Sequence, residues 1–196
     1  MDILDVIRTR RSVGKVHSDL PPRADIEAML EAATYAPNHH KVEPWRFIVL
    51  TGAGRDHLAD VWADIERGKH ADPTSDAAQR AAAGVRAKAY RAPVIIVAIA
   101  EPPSGPKVVA TENTEAVAAA IQNMLLVAGS RSLGAMWRTG EVAYDPRTKA
   151  AFGLPPDHAI VGFIYVGYPA AEPSPRHLAP HHAKTDWWGD GWENES

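Results

Sequence analysis

Seven consecutive apolar residues, Val94-Ile95-Ile96-Val97-Ala98-Ile99-Ala100, stand near the middle of the chain between Pro93 and the break at Pro102-Pro103. The run is far too short to span a membrane. It is rich in β-branched side chains and does not alternate with polar ones, so it reads as a strand covered on both faces. A chain built on such a strand must supply a layer for each side. At 196 residues it is long enough to do so within one domain, read here as 1–196.

The remaining pattern supplies those layers. Phe47-Ile48-Val49-Leu50, Leu133 to Thr139 and Ala159 to Tyr168 read as further strands. Ile3, Val6 and Ile7 share a face of a first helix that Asp2 can cap. Ile26, Met29, Leu30 and Ala33 recur at helical spacing between Arg23 and Tyr35, and Leu58, Val61, Trp62 and Ile65 do the same further on. Ala77 to Tyr90 is an Ala-rich helix. The polar stretch from Glu66 to Asp76 before it is expected to have little order. The longest helix runs from about Glu112 to Arg131, with Val117, Ala120, Ile121, Met124, Leu125 and Ala128 as its stripe. Asp145-Pro146 starts another, ending near Phe152-Gly153. Helices and strands do not alternate strictly, and no Gly-rich loop joins a strand to a helix. Those two facts argue against a Rossmann unit or a P-loop and favour the α+β class, a sheet flanked by helices.

Composition narrows the chemistry. There is no Cys, which excludes disulfides, thiolate metal sites and a Cys nucleophile, so any redox chemistry must come from a bound cofactor. The formal charge is -3, with both signs interspersed, which argues against a nucleic-acid surface. The N-terminus lacks a signal-like apolar run and no segment reaches membrane-span length, so a cytoplasmic protein with neither nucleic-acid nor membrane partner is expected.

The chemistry-bearing residues begin at Arg8-Thr9-Arg10-Arg11-Ser12. Three guanidiniums and a hydroxyl at a helix end make a phosphate grip, because the Arg fork matches phosphate oxygens bidentately. The same residues also suit a solvated basic helix end facing the macrodipole. A polar loop bounded by prolines, Ala36-Pro37-Asn38-His39-His40-Lys41-Val42-Glu43-Pro44, precedes the first strand. His177, His181 and His182 lie in a Pro-rich tail without carboxylates at matching spacing, and read as a solvated tail with no metal site. Arg176 could reach a phosphate. Trp187, Trp188 and Trp192 fit an arm, 169–196, that packs on its own domain or on a second copy. Glu115 and Asn123 on the long helix could face a ligand or lie at a surface or interface.

Four pieces in order, Arg10-Arg11-Ser12, Glu43-Pro44-Trp45-Arg46-Phe47, Gly134-Ala135-Met136-Trp137-Arg138-Thr139 and Ile160-Val161-Gly162-Phe163-Ile164-Tyr165-Val166-Gly167, resemble the FMN-dependent nitroreductase family. They are most similar to its compact bacterial branch, over about residues 2 to 168. The resemblance implies a mostly antiparallel central sheet flanked by helices, and a homodimer with flavin at the subunit interface. It implies FMN contacts from Arg10, Arg11 and Ser12 to the phosphate and ribityl chain, from His39 and Glu43 across the dimer, and from Trp137, Arg138 and Thr139. Val127, Ala128, Gly129, Ser130, Arg131 and Ser132 match the region assigned to nicotinamide nucleotide. It implies a ping-pong cycle in which NAD(P)H reduces the flavin and a nitroaromatic, quinone or similar small molecule reoxidises it. No protein general base is required, so no catalytic residue is named. Trp45 and Trp137 are candidates for an aromatic wall or for ordinary core.

Two positions depart from the family pattern. Gly14 stands where a basic residue is common, with Lys15 beside it, and Glu43 stands where Gln is common. Both lower the positive field at the flavin and keep open a flavin-binding store or sensor with little turnover. A nucleic-acid module built on Arg8 to Arg11 is the third reading, and the acidic net charge counts against it.

Overall fold

The structure, a computed structural model, describes residues 2–172 and 177–189. Four strands, β1 (Trp45–Thr51), β2 (Val94–Ala100), β3 (Gly134–Arg138) and β4 (Ala159–Gly167), form one sheet in the order β1-β2-β4-β3, with every pair antiparallel. All seven residues of β2 are buried, as a strand with both faces covered must be.

The helices are α1 (Ile3–Thr9), α2 (Arg23–Thr34), α3 (Gly54–Arg67), α4 (Asp76–Arg86), α5 (Ala110–Ser130), α6 (Glu141–Tyr144) and α7 (Pro146–Ala151). On one face of the sheet, α2 and α5 pack Met29, Ala33, Val117, Ile121 and Met124 against Val94, Ile96 and Ala98. On the other, α3 packs Leu58, Trp62 and Ile65 against Ile95, Val97, Ile99 and Phe163. Trp62 meets the Phe163 ring edge-on, with centroids 5.0 Å apart and planes at 85°. Phe163→Ala should therefore lower stability by about 3–5 kcal/mol, through lost burial and the cavity left beneath Trp62. Chemical denaturation with an unchanged m-value would show it.

Several boundaries differ from the sequence expectation for local reasons. The stretch expected to lack order folds into turns. Asp72 accepts hydrogen bonds from the Thr74 backbone N–H (2.8 Å) and hydroxyl (2.6 Å), and the Ser75 hydroxyl caps α4 at Ala78 N. The short α6 was not expected. It follows Gly140, whose φ of 124° lets the chain leave β3 sharply. Asp145 caps α7 through Arg147 N, with Pro146 in the first turn. Asn123 is structural: its Nδ2 donates to the Ala32 carbonyl (3.0 Å) and ties α5 to the last turn of α2. Of α1, only Val6 is buried, while Ile3, Leu4 and Ile7 are exposed.

Candidate functional site

The basic cluster is fixed at the free edge of β3 by its own backbone. Ser12 forms a parallel bridge to Ala135, and Val13 N–H donates to the Ala135 carbonyl (3.0 Å). Gly134 permits this approach, since a Cβ there would stand 2.8 Å from Val13 Cγ1. The chain then runs beside the residues after β4: His17 N–H donates to Tyr168 O (2.8 Å), and Ala170 N–H to Lys15 O (3.0 Å).

Arg10 and Arg11 line an open cleft of about 690 Å³ together with Gly129, Ser132, Leu133, Ala135 and the stretch from Pro169 to Glu172. Arg11 Nη1 donates to the carbonyls of Arg8 (2.7 Å) and Arg10 (3.0 Å), which folds this guanidinium back over the end of α1. Ser12 is exposed beside them. The cleft thus brings the phosphate candidates together with two residues of the 127–132 segment. The other members of that segment are placed differently. Ala128 is fully buried in the core, which removes its side chain from any ligand surface, and Val127 packs partly buried against the same core. Ser130 Oγ donates to Val127 O (2.8 Å), and Arg131 is paired with Asp25 of α2 at 2.6 Å. Ser132 has φ of 58°, a left-handed backbone that turns the end of α5 into the cleft.

The loop before β1 is held in a strained form. His40, Lys41 and Glu43 have φ of 56°, 54° and 49°, all outside the ordinary range for residues with a Cβ. Each costs about 1–2 kcal/mol, and such strain collects where ligands are held. Asn38 Oδ1 accepts from Glu43 N–H (2.9 Å) and braces the turn. His39 lines a separate depression of about 410 Å³ with Glu112 and Glu115 of α5, its Nδ1 3.7 Å from Glu112 Oε2.

Trp137, Arg138 and Thr139 do not act on one side. Strand alternation sends Trp137 to a depression of about 500 Å³ shared with Thr114 and Ala118 of α5, while Thr139, one residue past the end of β3, borders both that depression and the cavity on the Arg138 side. The indole crosses Gly162 and donates from Nε1 to Val161 O (3.2 Å). Val161 is the extra residue where the β2–β4 register shifts: Ala98 faces Gly162 and Ile99 faces Ile160. Bulges of this kind re-aim side chains at sheet edges. Arg138 points to the opposite face. Its guanidinium lies 5.6 Å from the Tyr165 ring centroid, and a Cβ on Gly14 would stand 3.5 Å from its Nη2. The absent side chain at position 14 is therefore answered in space by a cation from β3. Burial pushes the Tyr165 phenol up to about 12.

Trp45 is partly buried against the α2–α5 core. In the tail, Trp187 and Trp188 are exposed, Trp188 at 95%. The expectations for Arg176 and Trp192 fall outside the described residues. Sequence reasoning missed Leu133 and the segment Pro169 to Glu172 as walls of the cleft. Backbone pairing of residues 15–17 with 168–170, including the Val16–Pro169 bridge, brings the latter there, and no motif announces it.

A sequence profile of the Nitroreductase family matches residues 7–168. YdjA of Escherichia coli K12, named as a candidate NAD(P)H nitroreductase, is 32% identical over 174 residues, covering 89% of this chain and 92% of that protein. YfhC of Bacillus subtilis 168, named likewise, is 30% identical over 177 residues, covering 90% and 89%. A nitroreductase-like protein from Bacillus cereus superposes with a TM-score of 0.83 at 26% identity, covering 96% of each chain. A Bacteroides fragilis nitroreductase described with bound FMN shares the fold at a TM-score of 0.72 and 22% identity, over 96% of this chain and all of that one. With its antiparallel sheet, its basic cluster held at the β3 edge and its matched span, the chain belongs to the nitroreductase family.

Proposed function

We propose that this protein is an FMN-dependent NAD(P)H oxidoreductase, a cytoplasmic homodimer that reduces nitroaromatics, quinones or similar electron-poor small molecules by a ping-pong cycle. One observation carries the reading: Arg10 and Arg11 open into a cleft at the free edge of β3, walled by the end of α5. The donor set fits a flavin mononucleotide. Arg10, Arg11 and Ser12 would hold the phosphate and ribityl chain, with charge-assisted hydrogen bonds that anchor one end. Trp137 would give the flavin ring an aromatic neighbour at its own edge of the sheet, and Thr139 a hydroxyl. Bound FMN supplies two-electron transfer between NAD(P)H and the acceptor.

The chain's residues position and shield. Arg138, lodged between Gly14 and Tyr165, supplies positive field at the edge where position 14 has none. Gly129 and Ser132 line the same cleft and would meet the nicotinamide nucleotide. His39 and Glu43 sit in a loop whose depression is separate from that cleft, which fits a site completed by the loop of a second copy. The exposed apolar residues of α1 and the exposed Trp188 fit a surface that such a copy covers.

Initial rates measured with NADPH or NADH against a nitroaromatic acceptor test the cycle. Double-reciprocal plots at several acceptor concentrations should be parallel, because donor and acceptor occupy one slot in turn. Intersecting lines would require both to be bound together and would refute the ping-pong reading.

A further inference from the structure

On the sheet face away from α5 lies a second cavity, of about 260 Å³. Its apolar walls are Trp62 of α3, Val85 of α4, Val142 of α6 and Phe163 of β4. Its polar lining is dominated by cations: Lys88, Arg91 and Arg138 all border it. None of the three takes part in an ion pair among the described residues. The two carboxylates at the cavity, Glu66 and Glu141, are instead both taken up by Lys69, at 3.1 Å and 2.5 Å. That triad ties α3 to α6 and carries a net negative charge smaller than the positive charge of the three cations, so the hollow keeps an excess of positive charge.

Tyr165 adds an independent feature. It is 5% exposed, it borders the cavity, and its hydroxyl makes no hydrogen bond among the described residues. The ring is buried while the hydroxyl opens to the cavity with its donor unused, and a phenol donates readily to a carboxylate. The Trp62 indole Nε1 in the same wall is likewise buried and unpartnered. Cations in excess over carboxylates, with unpartnered donors beside them, call for an anion, and the apolar walls call for a compact hydrocarbon body attached to it.

The geometry points to a binding site for a small organic carboxylate, its apolar body against Trp62, Val85, Val142 and Phe163 and its oxygens accepting from Arg91, Arg138 and the Tyr165 hydroxyl. This site is separate from the cleft at Arg10 and Arg11 and stands or falls without the flavin reading. The proposed flavin edge and this cavity share Arg138, whose guanidinium also borders Gly14, and Thr139.

The test follows the Trp62 indole N–H resonance in the FMN-saturated protein, assigned through Trp62→Phe, during titration with cyclohexanecarboxylate. Cyclohexanecarboxamide serves as the neutral isostere, and inorganic phosphate as an anion without an apolar body. The carboxylate should shift the resonance saturably, with the amide and phosphate each weaker by about tenfold or more. Arg91→Gln and Tyr165→Phe, neither of which empties the core, should each weaken the carboxylate by about three- to tenfold. Arg10→Gln, in the other cleft, should leave it unchanged. Equal binding of acid and amide, binding of phosphate but not the carboxylate, no saturable shift at Trp62, or indifference to Arg91→Gln would overturn the assignment.

Discussion

Gly162→Val is expected to disable the proposed flavin edge of the molecule while leaving most of the sheet intact. A Cβ at this position would lie 2.1 Å from Trp137 Nε1 and 2.9 Å from the Arg138 carbonyl. The indole is partly exposed and can swing outward, but the carbonyl belongs to β3 and can yield only if the strand shifts. The added bulk should therefore break the Trp137–Val161 hydrogen bond, move the end of β3, and lower stability by about 1–3 kcal/mol. FMN affinity should fall by about tenfold or more with it, since a displacement of order 1 Å is enough to spoil a positioned site. Flavin fluorescence titration and thermal melting read the two effects. Trp137→Ala in the same chain should recover part of the stability, because it removes the closest contact, and none of the FMN affinity. Wild-type affinity in Gly162→Val would show that β3 does not meet the flavin.

The second large effect is expected at the proposed phosphate grip. Arg10→Gln and Arg11→Gln each remove a charged donor from the cleft. Hydrogen bonds to charged groups contribute about 1.5–3 kcal/mol, so either change should raise the FMN dissociation constant by about ten- to hundredfold. The double variant should be recovered largely without flavin. Arg11→Gln should loosen the end of α1, because Arg11 also holds the Arg8 and Arg10 carbonyls. Riboflavin, which lacks the phosphate, separates phosphate contact from general damage: the variants should bind it as the parent protein does.

Much of the architecture is legible in the residues because single segments carry it. Seven apolar residues without alternation can hardly be anything but a covered strand, and β2 is buried throughout. The helix stripes at Leu58, Trp62 and Ile65, and along α5, follow from periodicity alone. What could not be read depends on register or on distant partners. Trp137 and Arg138 are neighbours in sequence yet serve opposite faces, and only the pairing of β3 with β4 decides which is which. Tyr165 sits inside an apolar strand and reads as core, and its role beside a cavity appears only once Arg138 and α3 surround it. The left-handed backbone at His40, Lys41 and Glu43 has no sequence signal, because none of these is a glycine. The absent cation at Gly14 looks like a defect in the sequence. In the fold, the Arg138 guanidinium lies within reach of the same space.

The most direct test of the central claim is the absorption spectrum of the purified, FMN-saturated protein under anaerobic conditions, before and after NADPH or NADH is added. The account predicts bound-flavin bands that bleach promptly with at least one donor and return when a nitroaromatic acceptor is supplied. Bands that persist with both donors would contradict it and identify a flavin-binding protein without reductase turnover. Failure to bind FMN at all would leave the cleft at Arg10 and Arg11 in need of a different ligand.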